Sequence, residues 1–314
     1  MLMPNPTSTN AMVDRSNQSP AGDAMRIVVG IATHGRAAIL SETLSELLRQ
    51  RRPADEIIVA YAEDADVGDV PSRFPAIRFL RSPIGSSRQR NRILDSCIEN
   101  EIVVFIDDDF YLSAGYLEVI ERLFVEHPEV VAATGSVVAD GIHGPGISGE
   151  VAKSLLRGVD AVGQNYEIKE RFNTYGCNMS FRLAPIREHQ IRFDELLPLY
   201  GWAEDVDFSR QLARYGLIVG VSSAYGVHLG SKGGRTSGLR FGYSQIANPI
   251  YLARKGTLSW RLALISVTSL SAKNILKSLR PEPNVDRLGR LRGNLIAFAD
   301  LLRGELSPLK ITRM

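Results

Sequence analysis

The sequence predicts an α/β protein: a mostly parallel sheet with flanking helices, followed by a helical C-terminal extension. Three observations lead there. Apolar, largely β-branched runs recur at Arg26 to Ala32, Glu56 to Tyr61 and Ile102 to Ile106, each giving way to polar residues, as strands buried on both faces of a parallel sheet do. Between the first two runs, Ile39, Leu40, Leu44, Leu47 and Leu48 form the stripe of an amphipathic helix, which makes a βαβ unit with a right-handed crossover. From Leu239 onward the apolar spacing is helical and basic residues are interspersed.

At 314 residues the chain can build one large domain or two smaller ones, and its 44% hydrophobic and 23% charged content is that of an ordinary soluble globular protein. The formal net charge of +2 conceals a division. From Thr236 onward there are 13 Lys and Arg against 4 Asp and Glu, a net of +9, which leaves −7 for the preceding part. Cys97 and Cys177 lack metal-ligand spacing and read as reduced thiols of a cytoplasmic protein. Residues 1–24 are rich in Pro, Asn, Ser and Thr, lack the pattern of a signal peptide, and are expected to form a disordered tail. The chain has no run of the roughly 18 apolar residues that a membrane span needs. Any membrane contact is therefore expected to be peripheral, on the inner face of the plasma membrane.

The first strand runs into a turn, Thr33 to Arg36, and Pro53 ends the helix that follows. The second strand ends in an acidic loop with Glu63, Asp64 and Asp66. A short strand at Ala76 to Leu80 leads into IGSSRQRN, Ile84 to Asn91, and a helix to about Glu99. Gly85 and the serines leave backbone N–H groups near the helix start, and Arg88, Arg90 and Arg92 gather positive charge there, which suits phosphate; a solvated basic helix would carry the same residues. The next strand ends in Asp107, Asp108 and Asp109. Alternation along extended backbone points Asp107 and Asp109 the same way, at the strand end where open α/β sheets bind ligands. Two such hard oxygen donors suit Mg²⁺ or Mn²⁺ carrying a diphosphate, although a polar loop capping the following helix would also read this way.

A helix from about Gly115 to His127 and a strand over Val130 to Ala139 follow, then a glycine-rich connection, Asp140 to Gly149. FNTYGCNMSFR, Phe172 to Arg182, sets small and polar residues between aromatics, either to line a sugar pocket or to turn the chain. Gly201 to Tyr215 is a helix whose first turn carries Glu204, Asp205 and Asp207. Acidic residues favour a helix N-terminus, so capping alone would account for them; Trp202 beside them offers a flat face to a sugar. After a strand at Leu217 to Ser222, His228 precedes a glycine-rich loop with Lys232 and Arg235, where a third metal ligand and a closing lid would be needed.

In this order, VVGIATHGR, the QRN of Gln89 to Asn91, the aspartates Asp107 to Asp109, GCNMSFR, WAEDVDF and HLGSKGGR give the chain from Met25 to Gly238 its character. It resembles the family 2 glycosyltransferases of the GT-A fold, of the bacterial polysaccharide-assembly type. The resemblance implies an inverting, metal-dependent transfer of a sugar from a nucleotide-sugar donor, a UDP-sugar first, to a saccharide or polyprenyl-linked acceptor. It further implies a divalent metal, Mg²⁺ or Mn²⁺, on Asp107, Asp109 and His228, and a catalytic base at Asp205 with Glu204 beside it. Donor contacts fall on Thr33, Gly35, Arg36, Asp64, Arg90, Asn91, Asp107, Asp108, Lys232 and Arg235, and acceptor contacts on Asn178, Met179 and Trp202. One departure stands out. The aspartate that usually ends the second strand and helps read the base is replaced by Tyr61, with acids only later, at Asp64 and Asp66.

The implied organisation is a tail (1–24), a GT-A catalytic domain (25–238) and a basic helical region (239–314). In that last region Val285 to Gly304 is expected to be a helix whose apolar face is Leu288, Leu291, Leu295, Phe298, Leu301 and Leu302. It either attaches peripherally to an anionic membrane, which suits a polyprenyl-diphosphate acceptor, or caps the core with a solvated basic face. Two other classes compete. A nucleotidyltransferase or pyrophosphohydrolase would not need the acceptor-side WAEDVDF segment. A non-catalytic membrane or nucleic-acid binder would not need the full set of acids, and no nucleic-acid partner is expected.

Overall fold

The computed structural model describes residues 25–99, 101–160, 165–233, 236–280 and 282–314; the expected tail, residues 1–24, lies outside them. The apolar runs form the parallel half of the sheet. Strand β1 (Ile27–Ala32) lies between β2 (Glu56–Tyr61) and β4 (Ile102–Asp107), and β3 (Arg78–Arg81) extends the sheet beyond β2. Ala32 pairs with both Ala60 and Asp107, so these strand ends are level. Helices α1 (Ala37–Leu47), α2 (Asp64–Val67), α3 (Val70–Arg73) and α4 (Ser86–Leu94) make the crossovers. Val28 packs with Val103 and Phe105 in one cluster, Val29 and Ile31 with Val104 and Leu40 in the other. Both faces of the strands are thus buried, each such side chain contributing about 1.5–3 kcal/mol.

The second half of the sheet is mixed in direction. Strand β8 (Asn178–Arg182) pairs antiparallel with β4 and with β6 (Val130–Asp140), while β9 (Leu217–His228) runs parallel to β6 and antiparallel to β5 (Phe110–Leu112) and β7 (Ile168–Glu170). The full order is β3-β2-β1-β4-β8-β6-β9-β5. Register shifts between β6 and β9 at Val130/Ala132, Thr134/Ser136 and Val137/Ala139 bend the pair. The end of β9 thereby reaches the turn after β4, with His228 opposite Phe110. Helices α5 (Tyr116–Glu126), α6 (Gly149–Asp160), α7 (Leu183–Glu188) and α8 (Glu204–Leu212) complete this part.

The segment expected to line a pocket or turn the chain divides: Tyr175, Gly176 and Cys177 line the cavity described below, and the rest is a central strand, β8. Asn178, Met179, Ser180 and Phe181 are fully buried. A polar residue survives there because its partners are supplied: Asn178 Oδ1 accepts from Thr134 Oγ1 at 2.5 Å and from the Gly135 amide at 2.9 Å.

The last three helices are α9 (Gly238–Lys255), α10 (Trp260–Ser278) and α11 (Arg287–Arg303), capped by Ser237, Ser259 and Asp286, whose side chains accept from the Arg240, Leu262 and Gly289 amides. Only part of the expected α11 face packs: Phe298 and Leu301 sit against the apolar cluster of Tyr243 and Ile246. Leu288, Leu295 and Leu302 are exposed, and the buried positions include Gly293, Asn294 and Ala297. Glycine decides this: a Cβ on Gly293 would sit 2.1 Å from Leu239 O, and one on Gly242 2.1 Å from Arg290 O. The backbones of α9 and α11 approach closely, and larger residues are turned outward. Asn274 donates to Gln245 at 2.8 Å and Asn294 at 2.9 Å, tying the three helices together.

This bundle is fastened to the sheet through α8 and the segment before it. Lys255 Nζ lies 2.7 Å from Asp207 and 2.6 Å from Asp194, Thr257 Oγ1 donates to Asp207 at 2.7 Å, and Asn248 donates to Trp202 O at 2.7 Å. Asp207 is fully buried. The third acid of WAEDVDF therefore anchors the C-terminal helices.

Candidate active site

Where β4 ends, the three aspartates part company. Asp109 Oδ1 faces His228 Nε2 at 3.4 Å, and Asp107 Oδ2 faces the same nitrogen at 3.9 Å. One ligand atom from each of Asp107, Asp109 and His228 lies within 4.8 Å of the others. Octahedral Mg²⁺ with ligands at about 2.0–2.1 Å places neighbouring donors roughly 3 Å apart, so the group fits a hard divalent cation. Asp109 Oδ1 is buried without a hydrogen-bond partner among the described residues, as a ligand atom awaiting a cation would be. His228 Nδ1 meets Asp140 Oδ1 at 3.0 Å; a neutral imidazole donating there turns its Nε2 lone pair toward the two aspartates.

Asp108 points elsewhere, accepting from Thr33 Oγ1 at 2.7 Å and pairing with Arg36 at 2.9 Å. Burial pushes its carboxyl up to about 7, against the pull of Arg36. Burial also acts on Asp109, but His228, Arg36 at 3.3 Å and the Ser231 amide at 2.7 Å outweigh it and hold this carboxyl below its ordinary value. Burial would lower His228; the facing carboxylates of Asp109 and Asp140 reverse the sign and raise it to about 10.

On the other wall, the QRN segment of α4 divides its work. Gln89 donates to Thr33 O and Ala60 O, tying the ends of β1 and β2 together. Arg90 enters the site, bonding Glu204, Asp107 at 3.2 Å and Gly176 O at 3.0 Å. Asn91 turns away, to Phe193 and Glu195. Burial outweighs Arg90 at Glu204 and lifts it to about 7. Asp205 accepts from the Gly176 amide at 3.3 Å and the Val206 amide at 2.9 Å. Leading into these acids, Leu199, Gly201 and Ala203 all have positive φ, a conformation that costs non-glycine residues roughly 1–2 kcal/mol. Such strain collects where geometry serves a site.

These walls enclose a cavity of about 660 Å³, within the size range of ligand pockets. Thr33, Arg36, Arg90, Asp107, Asp108, Trp202, Glu204, Asp205 and His228 all line it, and Asp109 sits behind His228. The remaining expected residues lie apart from it. Gly35 (φ 66) shapes the turn, its amide donating to Asp66 at 2.8 Å. Asp64 is exposed near Arg81, and the acid that turns inward is Asp66, which also takes the Ala62 and Glu63 amides. Asp66 and Glu63 form a reciprocal cap on α2, a spacing visible in the sequence. Asn178 and Met179 are buried in the sheet. Lys232 Nζ reaches Gly141 O at 3.2 Å, and Arg235 lies outside the described residues. His34, Gln89 and Tyr175 line the cavity from within stretches that the sequence marked, while Tyr200 and the helical residues Arg240 and Phe241 line it without having been singled out by sequence.

A parallel half-sheet bearing an acidic cluster at its carboxyl edge, joined to a mixed half, is the GT-A architecture. S. aureus TarS (residues 1–349) shares it: its crystal structure superposes with a TM-score of 0.55 at 18% identity, covering 82% of this chain and 76% of that one. The same protein with UDP-GlcNAc gives 0.52 at 17% identity over 88% and 81%. GalNAc-T7 with UDP, GalNAc and Mn²⁺ gives 0.52 at 11% identity over 66% and 44%. The profile of glycosyl transferase family 2 matches residues 28–189, and the chain belongs to that family. It is 27% identical over 169 residues to the glucosyl-dolichyl phosphate glucuronosyltransferase of Haloferax volcanii, a match covering 50% of this chain and 53% of that protein. The chain thus aligns with about half the length of this curated relative.

Proposed function

We propose that the protein is an inverting glycosyltransferase that moves a sugar from a nucleotide-sugar donor, a UDP-sugar first, to a hydroxyl of a saccharide or polyprenyl-linked acceptor. The observation that carries this reading is that Asp205 faces the same cavity as the Asp107, Asp109 and His228 group. A divalent cation held by that group would offset the charge gathering on the departing diphosphate, an effect of several kcal/mol. Asp205, oriented by two backbone amides, takes the proton of the attacking hydroxyl, which typically contributes about 10² to 10⁴ in rate. Glu204 is occupied by Arg90 and serves to fix that guanidinium beside Asp107. The ligands named for the neighbours, UDP-GlcNAc in one and UDP with Mn²⁺ in another, support the donor class. The name of the Haloferax relative supports a lipid-linked acceptor.

Peripheral membrane attachment belongs to the same reading. No helix among the described residues is long and apolar enough to cross a membrane. Trp260, Leu264, Ile275 and Leu279 are exposed on one face of α10, with Lys277 and Arg280 flanking it, a surface suited to an anionic bilayer. A thermal-shift series of nucleoside diphosphates with Mn²⁺ tests the donor site, since a ligand at a hundred times its Kd stabilises by about 2.7 kcal/mol. No shift with any of them, with or without Mn²⁺, would remove the proposed activity.

A further inference from the structure

The two ends of the cavity differ in charge. Its sheet end carries the acids Asp107, Asp108, Glu204 and Asp205 interleaved with Arg36 and Arg90, which pair with three of them; its far end, formed by the last three helices, carries Arg240, Lys273, Arg287 and Arg290 and no carboxylate among the described lining residues. These four cations come from α9, α10 and α11, so they converge from three elements rather than decorating one solvated face. Their settings are built. Arg287 is 4% exposed and held by Glu282 at 2.6 Å and Asn274 at 3.2 Å. Arg290 lies over the Phe241 ring at 4.4 Å, and Arg240 Nε donates to Met314 O at 2.8 Å. Lys273 stands exposed at the mouth. Fixed guanidinium groups in a walled cavity are matched to planar or tetrahedral oxyanions.

We propose that this helical end is an anion subsite that takes the phosphate of a phosphorylated acceptor. The inference rests on the proposed transferase reading for the word acceptor. An inverting displacement brings the hydroxyl from the face opposite the donor diphosphate, and that diphosphate belongs at the acidic, cation-binding end. Contacts run from the base toward the cationic end: Trp202, three residues before Asp205, meets Phe241 edge-on at 6.3 Å, and Phe241 carries Arg290. Glu282 faces this cluster and is shared between Arg287 and Lys277, while the oxygen of the last residue, Met314, faces Arg240. The phosphate can be a lipid-linked one or that of a free sugar phosphate.

Calorimetry on the whole protein, preloaded with Mn²⁺ and UDP to fill the donor end, tests this with octyl phosphate, glucose 6-phosphate and neutral octyl glucoside. One or both phosphates should bind and octyl glucoside should not; octyl phosphate alone marks a lipid-linked acceptor, glucose 6-phosphate alone a soluble one. Lys273→Ala, at an exposed position, and Arg290→Gln should each weaken phosphate binding by about tenfold while leaving UDP affinity unchanged. Absence of binding by both phosphates, or binding unaltered in both variants, would overturn the subsite. UDP affinity, read first in the same cell, keeps the two readings apart: its loss in the wild type counts against the donor site, and phosphate binding that survives there still supports the subsite.

Discussion

Asp205→Asn removes basicity from the first turn of α8 yet keeps one oxygen that can accept from the Val206 amide, giving up only the longer bond from the Gly176 amide at 3.3 Å. Transfer should fall by about 10² or more with little change in melting temperature or donor affinity. Glu204→Gln should show the opposite pattern, a lower melting temperature, because Arg90 is buried and loses a charged partner. Kinetics and thermal melts on the two variants separate the roles; a reversed pattern would move the base to Glu204. His228 gives a pH test. With its value raised to about 10 from an ordinary 6.5, the protonated ring stabilises the cation-free fold fully below about pH 6.5 and loses that contribution as pH climbs toward 10. Metal coordination needs the neutral ring. Mn²⁺ affinity should therefore rise with pH between 6 and 8 with release of a proton, measurable by calorimetry in buffers of different ionisation enthalpy. His228→Ala should lose the proton release, and pH-independent affinity in the wild type would remove His228 from the ligand set.

Among the elements, the α9–α11 contact is the most sharply constrained. Gly293→Val would drive a side chain into the backbone at Leu239 and Tyr243, and overpacking of this kind typically costs about 1–3 kcal/mol; urea denaturation should show it, and an unchanged midpoint would mean that the helices can part without cost. The same helix shows where sequence reading fails. Seven-residue spacing of Leu288, Leu295 and Leu302 resembles a packing face, but glycine close approach leaves no apolar pattern to read. Strand β4 was legible because its five apolar residues, Ile102 to Ile106, are local and continuous. Strand β8 was not, since Asn178 and Ser180 break the run, and the Thr134 hydroxyl that satisfies Asn178 arrives only in the folded chain. The aspartate cluster, Arg90 and Asp205 carried recognisable neighbours in sequence. The inward turn of Asp66 and the outward turn of Asp64 depend on the reciprocal cap between Glu63 and Asp66, and the cationic end of the cavity on helices whose packing no motif announced.

Taken whole, the molecule presents its basic charge and the apolar stripe of α10 on the same C-terminal bundle. Sedimentation with anionic liposomes should fall as salt rises, since exposed charges are screened over about 8–10 Å at 0.10–0.15 M ionic strength, and Leu264→Asp with Ile275→Asp should reduce it further. Equal binding to neutral vesicles would leave the bundle as a cap only. That cap also bears on manufacture. Cavity walls drawn from Ala32 through to Arg290 mean that a ribosome releases the donor half long before the final helices can seal it. A chain that stopped before Gly238 would bare Asp194 and Asp207, and, if it held a nucleotide-sugar at all, would leave the anomeric carbon open to water. Premature termination is then expected to favour hydrolysis of the donor over transfer, measurable as free sugar released by a chain cut before Gly238.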